Sequence, residues 1–145
     1  MERDVTAKYV NCFVCSPVNP FGLRLKNEFI DGKAHMEFVP TEYHAGLNGL
    51  MHGGFSLMLV DEVMLNAVDH ILHVDAVTLN SSTDFKNPAK IGHRMVCEAW
   101  VTKQEGRKIY IEAVVFDADD DNKEIVRSKG LFYQMDMDSF LPKSE

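Results

Sequence analysis

A strongly apolar segment in the middle of the chain, residues 53–69, limits which folds are possible. It begins with two glycines directly after His52, and apolar residues then recur from Phe55 to Val68. In a helix these side chains would lie on nearly every face, so other elements must cover the helix on most sides. The rest of the chain must therefore supply a layer that wraps this helix.

Segments with alternating apolar and polar residues flank the helix and predict that layer. Before the helix, residues 23–29 and 34–39 alternate around Asp31-Gly32, which predicts a β-hairpin. Four further strand-like segments with short connections follow it, at residues 76–85, 93–102, 108–116 and 124–133. The sequence thus predicts an α+β fold in which one long central helix is wrapped by a curved, largely antiparallel six-stranded sheet.

Length and composition predict a single domain over residues 1–145, with an irregular or briefly helical segment at residues 1–20. The net charge of −7 argues against a nucleic-acid or anionic-membrane partner, because phosphate binding needs a basic face. The apolar run is about half the ~20 residues that span a bilayer. With no signal peptide recognised after Met1 and an odd number of cysteines, we expect a cytoplasmic location.

Two segments have the spacing of metal sites, but we expect neither to bind a metal. Cys12 and Cys15 have zinc-knuckle spacing, yet no second Cys or His pair follows at a matching distance. His44 or a second subunit would have to complete such a site. Residues 117–121 begin like a calcium-binding loop, but its sixth and twelfth positions lack the required Gly and Glu, which predicts a hairpin turn instead.

Two adjacent carboxylates, Asp61 and Glu62, interrupt the apolar helix. Burying an ionised carboxylate is costly unless it is paired or its pKa rises. One interpretation places both on a narrow solvent or subunit-contact stripe, with Glu62 reaching Asn66 one turn later, and we favour this for Glu62. For Asp61 we favour the other interpretation, a general base or nucleophile in a cleft.

The start of the helix offers a second chemical group. Gly53 and Gly54 allow a ligand to approach the backbone, and first-turn amides are unpaired donors at the positive end of the helix dipole. Asp61 lies roughly 12 Å further along the axis. If both groups act on one substrate, one of them must come from a second subunit across a two-fold axis.

Four segments carry a resemblance to a known family. They are Cys12 to Cys15 with Asn19-Pro20-Phe21-Gly22-Leu23, the loop and helix start at residues 44–54, the pair Asp61-Glu62, and the strand at residues 77–88. In these segments the chain resembles the hotdog-fold acyl-CoA thioesterases of the phenylacetate-degradation type. They span nearly the whole chain.

The resemblance implies hydrolysis of an acyl- or aryl-CoA thioester to free acid and CoA, by a homodimer or homotetramer that needs no cofactor. It implies that the Gly53 amide, near His52, polarises the thioester carbonyl, while Asp61 of the facing subunit acts as general base or nucleophile. Thr78 falls where related enzymes carry a Ser or Thr that helps orient the water. The residues it suggests for substrate binding are Gly54, His44, Asn48, Asn87, Pro88, Arg107 and Lys108, the last two near the CoA phosphates.

One departure from the family pattern keeps an alternative open. Related enzymes often place an Asn or Gln six residues before the histidine, where this chain has Gly46, so His44 or Asn48 would have to replace it. The alternative is a non-catalytic hotdog module that binds acyl-CoA or a fatty acid. The individual residues also have plainer roles available: His52 as a helix cap, and Thr78 as a strand residue whose hydroxyl bonds the backbone.

Overall fold

The computed structural model describes residues 9–140, which form one sheet and one long helix. The strands are β1 (Glu28–Ile30), β2 (Lys33–Phe38), β3 (Ala76–Phe85), β4 (Met95–Glu105), β5 (Lys108–Asp117) and β6 (Lys123–Gln134); α1 spans Gly53–Leu72, and short 3-10 turns lie at Glu42–His44 and Met137–Phe140. All neighbouring strands are antiparallel, in the order β1-β2-β4-β5-β6-β3. The predicted α+β architecture is confirmed.

The core lies between α1 and the concave face of the sheet. Small side chains at the centre of the sheet let the helix approach closely, and Gly130 on β6 is the extreme case. A Cβ atom there would meet Met64 Sδ of the helix at 2.5 Å, so only glycine fits without a shift. Fully buried residues from both layers fill the contact, among them Leu59, Val63, Ala67, Ala34, Met36, Ala99 and Ala113.

Most of the predicted first strand pairs with a different part of the chain than β2. Of residues 23–29, only Glu28 and Phe29 belong to β1. The preceding backbone pairs with the N-terminal segment instead, because Leu23 N–H donates to Phe13 O and Leu25 N–H donates to Val14 O, both at 2.8 Å. Local alternation cannot distinguish these two partners, since both leave the same side chains buried.

The remaining boundaries differ from the predictions by a few residues at most. The helix continues to Leu72 rather than ending near Asp69, and it stops at His73 in the left-handed conformation with φ 55°. The strand at Ala76–Phe85 has its predicted bounds. The acidic segment after Asp117 is the β5–β6 turn.

Within residues 9–20 the chain forms hydrogen-bonded turns rather than a helix, while residues 1–8 lie outside the described part. Ser16 organises these turns: its hydroxyl donates to Val10 O at 2.6 Å and accepts from the N–H groups of Val18 and Asn19. Among residues 9–140, none of the helices combines the length and apolar character required to cross a bilayer.

Candidate active site

The edge strand β3 runs beside α1 and places Thr78 opposite Asp61. Thr78 Oγ1 donates to Asp61 Oδ1 at 2.6 Å, and the Asp61 side chain is exposed. Among residues 9–140, no side chain or backbone group hydrogen-bonds the other carboxylate oxygen, Oδ2. One oxygen is therefore held in place while the second can accept a proton from water or contact a substrate.

An irregularity in β3 brings further hydroxyl groups to the same pocket. The register between β3 and β6 shifts between Thr78 and Asn80, and one extra residue in a strand reverses the alternation of its side chains. Ser81 and Thr83 therefore lie on the Asp61 side together with Thr78. With Leu57 and Phe85 they line a pocket of about 490 Å³ that contains Asp61.

Sequence reasoning missed Ser81 and Thr83. Their hydroxyls lie 3.1 and 2.8 Å from Ser128 Oγ of β6, so they form a small polar network beside the carboxylate. Simple period-two counting from Thr78 assigns odd-numbered residues to the opposite face, and only the bulge corrects this assignment.

The neighbouring carboxylate, Glu62, faces elsewhere. Successive helix residues point about 100° apart, and Glu62 is only 8% exposed, under the N-terminal segment. Its carboxylate lies 3.9 Å from Cys12 Sγ, while the Asn66 side chain donates a hydrogen bond to Asn27 Oδ1. The expectation that Glu62 lies on a solvent-exposed stripe is wrong, because the N-terminal turns cover this face of the helix.

The start of α1 leaves one amide available. His52 is the N-cap, and its Nδ1 accepts the Gly54 N–H at 2.8 Å. A ring nitrogen that accepts a hydrogen bond carries no proton, so the neutral ring is protonated at Nε2. The Gly53 N–H, by contrast, donates no hydrogen bond to any of the residues from 9 to 140. It is the group at this helix end that a carbonyl oxygen can use.

Gly53 opens onto a second pocket, of about 450 Å³. Its walls are mainly apolar, and they include Phe85, which also lines the Asp61 pocket. The loop after β3 is fixed because Asn87 Nδ2 donates to Glu124 O at 2.7 Å. Sequence reasoning missed Ser56 and Phe85. The lining comprises Gly46, Leu47, Leu50, Met51, His52, Gly53, Ser56, Phe85, Lys86, Asn87, Pro88, Ala89 and Ile125.

The other predicted residues do not all reach these pockets. His44 Nδ1 accepts the Thr41 N–H at 2.9 Å, and its ring packs against Phe38 and Phe55, so it supports the loop from behind. Asn48 is exposed and lines neither pocket.

Arg107 and Lys108 lie at the far end of the sheet. Lys108 pairs with Tyr133, which pairs with Val77 at the beginning of β3, whereas both pockets contain Phe85 at its end. Since a strand rises about 3.3 Å per residue, roughly 25 Å separates the two ends. A single chain therefore does not bring Arg107 or Lys108 to the Gly53 pocket.

A side chain at position 46 would crowd His52. A Cβ atom on Gly46 would lie 3.1 Å from His52 Cα and 3.3 Å from His52 Cδ2. The loop instead closes through its backbone, because Gly46 N–H donates to Leu50 O at 3.0 Å. The chain therefore offers no side-chain amide at this point of the pocket.

A long helix packed on a six-stranded antiparallel sheet, with glycines at the helix start, defines the hotdog class. Residues 48–124 match the family model described as "Thioesterase superfamily", which is more than half of the chain. The chain belongs to the thioesterase superfamily. The predicted resemblance to hotdog-fold thioesterases is confirmed.

Curated relatives are similar over parts of their length. The acyl-coenzyme A thioesterase THEM4 of Xenopus laevis is 31% identical over 83 residues, covering 57% of this chain and 37% of that protein. THEM5 of Mus musculus, also an acyl-coenzyme A thioesterase, is 28% identical over 101 residues, covering 70% and 40%. A methylthioribose-1-phosphate isomerase of Aquifex aeolicus is 31% identical over 72 residues, covering 50% and 15%. The chain thus spans well under half the length of these relatives.

Solved structures share the fold over most of the chain. A thioesterase superfamily protein has a TM-score of 0.74 and 26% identity, covering 82% of this chain and 61% of that one. The Escherichia coli PaaI protein from the phenylacetic acid degradation operon has a TM-score of 0.71 and 19% identity, covering 79% and 81%. A Streptococcus mutans protein bound to acetyl-CoA has a TM-score of 0.69 and 18% identity, covering 77% and 88%.

Proposed function

We propose that this chain hydrolyses an acyl-CoA or aryl-CoA thioester to the free acid and CoA. The observation that carries the proposal is the Asp61 carboxylate, with Oδ1 held by Thr78 and Oδ2 open to a pocket. Membership of the thioesterase superfamily and the names of the two acyl-coenzyme A thioesterase relatives support it.

The chemistry needs only a few groups, because a thioester carbonyl is already electrophilic. The Gly53 N–H donates to the carbonyl oxygen and stabilises the negative charge that develops there. Asp61 takes a proton from water as the water oxygen attacks the carbonyl carbon, or it attacks directly as a nucleophile, in which case water then hydrolyses the acyl–Asp61 anhydride to release the free acid. The carbon–sulfur bond then breaks, and the CoA thiolate receives a proton. Thr78 orients the carboxylate throughout.

The two groups must meet on one substrate, and one chain separates them. They lie roughly 12 Å apart along the helix and open onto different pockets. We therefore propose a homodimer in which Gly53 of one subunit and Asp61 of the other form each site, with pairing of dimers into tetramers as an extension.

The surface beside Asp61 is suited to this association. Strand β3 is a ten-residue edge strand, and such an edge has unpaired backbone groups that a second chain can cover. Large apolar side chains are exposed next to it: Leu57 is 45%, Leu79 is 54% and Phe85 is 56% exposed. A two-fold axis at this surface would bury them twice.

Size and charge of the Gly53 pocket fit part of an acyl-CoA. A volume of about 450 Å³ is in the range of small-molecule sites, and its walls are mostly apolar with Lys86 among them. The acetyl-CoA bound to the Streptococcus mutans protein supports this ligand class. Asn87 and Pro88 belong to the pocket wall, whereas Arg107 and Lys108 would serve as CoA phosphate ligands only in a site that a second copy completes.

The test measures thiol release from a panel of short-chain, aryl and long-chain acyl-CoAs. We expect Asp61→Asn to lower kcat by about 10²–10⁴-fold, the usual contribution of a general acid or base. Asp69→Asn, two turns further along the same helix, is the matched control and should retain wild-type turnover. Wild-type turnover in Asp61→Asn would refute the assignment.

A second function, a non-catalytic module that binds acyl-CoA or a fatty acid, is favoured by one observation. Gly46 packs on His52 and supplies no amide where related enzymes often have one. Calorimetric titration with the same acyl-CoA panel separates the two functions. Tight binding with no thiol release from any of these compounds would establish the module and exclude the hydrolase.

A further inference from the structure

Three potential metal ligands converge on the face of α1 that carries Glu62, about 100° around the helix from Asp61. One sulfur each from Cys12 and Cys15 and a carboxylate oxygen from Glu62 all lie within 4.8 Å of one another. The two Glu62 oxygens are 3.9 and 4.0 Å from Cys12 Sγ. The cysteines come from the N-terminal turns and the carboxylate comes from the middle of the helix. None of the three lines either pocket.

We propose that Cys12, Cys15 and Glu62 form a Zn²⁺ site that attaches the N-terminal segment to the central helix. With Zn–S near 2.3 Å and Zn–O near 2.1 Å, tetrahedral ligation places a sulfur and an oxygen about 3.6 Å apart and two sulfurs about 3.8 Å apart. The observed separations are within a few tenths of an ångström of the first value. Small side-chain adjustments suffice to close the site around an ion.

The ligand chemistry selects zinc. Thiolates are soft ligands that favour Zn²⁺ over Mg²⁺ or Ca²⁺, and a carboxylate is an accepted additional ligand of zinc. When Zn²⁺ binds, the two thiols release their protons to solvent, and the divalent cation offsets the repulsion among the two thiolates and the Glu62 carboxylate at this largely buried position. Three protein ligands leave one coordination position for water or an added ligand.

The loop that carries the cysteines is already held in a ligating shape. Cys15 N–H donates to Cys12 Sγ at 3.4 Å, and this contact fixes the position of the sulfur. Ser16, fully buried, fixes the turns around the pair. The backbone pairing of Phe13 and Val14 with residues 23–25 holds the same loop against the helix.

The sequence alone does not identify Cys12, Cys15 and Glu62 as ligands of one site. Sequence spacing shows a single cysteine pair, and the third ligand lies 50 residues after Cys12. The expected completing ligand, His44, instead accepts a hydrogen bond from Thr41 and packs between two phenylalanines. We expected no metal because no second Cys or His pair follows in the sequence. In the proposed site Glu62 supplies the third ligand instead of such a pair.

The test uses the full chain, purified under reducing conditions without chelator. Elemental analysis should find about one Zn²⁺ per chain. After removal of the metal, titration with Co²⁺ should produce the thiolate-to-cobalt charge-transfer absorption, and Zn²⁺ should displace it.

Variants then assign the ligands. Mutation of a residue that hydrogen-bonds a metal ligand usually lowers metal affinity by roughly 10–100-fold. Loss of a ligand itself should lower the affinity at least as much. The variants that test this are Cys12→Ser, Cys15→Ser and Glu62→Gln. Two controls should bind Co²⁺ as the wild type does: Cys97→Ala, which removes the cysteine of β4, and Asp61→Asn, which alters the adjacent carboxylate.

Several outcomes would overturn the proposal. If Co²⁺ gives no charge-transfer band with the reduced wild-type chain, the proposal is wrong, and this result depends on no variant. A Cys12–Cys15 disulfide in the purified protein with no bound metal would identify a redox pair instead. If Glu62→Gln bound Co²⁺ as tightly as the wild type does, Glu62 would not be a metal ligand and the site would not include the helix. Metal binding and thiol release are measured separately, so this proposal stands or falls independently of the hydrolase.

Discussion

The Gly53 N–H can be deleted without disturbing the helix that carries it. Gly53 is the first helical residue, a position where proline is favoured because its amide needs no partner within the helix. The preceding residue, His52, has φ −59° and ψ 134°, which is the conformation that a residue before proline prefers. Gly53→Pro therefore removes one hydrogen-bond donor from a backbone position that accepts proline, and it adds a side-chain ring.

The expected loss follows from the role of that donor. Removal of one oxyanion-hole donor usually lowers kcat by about 10²–10³-fold, or ~2.7–4 kcal/mol of transition-state stabilisation. Gly53→Ala is the matched control, because it adds the same Cβ atom, 3.3 Å from Phe85 Cε1, and keeps the N–H. We expect Gly53→Ala to remain within a few-fold of wild type.

Steady-state thiol release and thermal unfolding of the two variants decide the question. The donor role predicts an unchanged Tm in both variants and a large fall in kcat for the proline variant alone. If Gly53→Pro folds normally and retains wild-type kcat, the Gly53 amide is not the oxyanion donor. If both variants lose activity equally, crowding against Phe85 explains the loss, and the donor role is again refuted.

Other predictions concern single contacts. Thr78→Val should lower kcat roughly tenfold, about 1.4 kcal/mol, by removing the hydrogen bond to Asp61, whereas Thr78→Ser should retain activity. Gly130→Ala should lower the free energy of unfolding by about 1–3 kcal/mol because its Cβ meets Met64 Sδ at 2.5 Å, and urea denaturation should show a smaller loss in a Met64→Ala background. Burial, then the charge of Glu37, raises the pKa of the Cys97 thiol far above its usual value. The folded state keeps this proton when the unfolded state has lost it, so stability should fall above about pH 8.5 by up to ~1.4 kcal/mol per pH unit, and Cys97→Ala should flatten that slope.

The sequence predicted the architecture well because the architecture depends on local periodicity. The helix from Gly53 and the strand at Ala76–Phe85 follow from patterns that each segment carries within itself. Short turns after the helix then leave few topologies other than an antiparallel sheet. The contact between Thr78 and Asp61, at 2.6 Å, was not predicted, because the sequence connected Thr78 only with orienting the water; it follows from the position of β3 beside the helix.

What the sequence could not predict depends on contacts between distant segments. Glu62 is expected at the surface by its residue type, and only the N-terminal turns, which pack over it, make it buried. The shift in register after Thr78 has no glycine or proline to mark it, so the placement of Ser81 and Thr83 could not be found by counting. Both features are set by tertiary packing, which overrides local preference.

The strongest test of the divided site uses heterodimers, because one chain holds its two chemical groups in separate pockets. Two differently tagged chains, Gly53→Pro and Asp61→Asn, can be co-expressed and isolated as the mixed dimer. If each site combines Gly53 of one subunit with Asp61 of the other, one site of the mixed dimer is intact, and about half of wild-type kcat per dimer should return. A wild-type chain paired with the doubly substituted chain should then be inactive, since both of its sites lack one group. A site contained in one chain predicts the reverse for both pairings: no activity in the first and about half in the second.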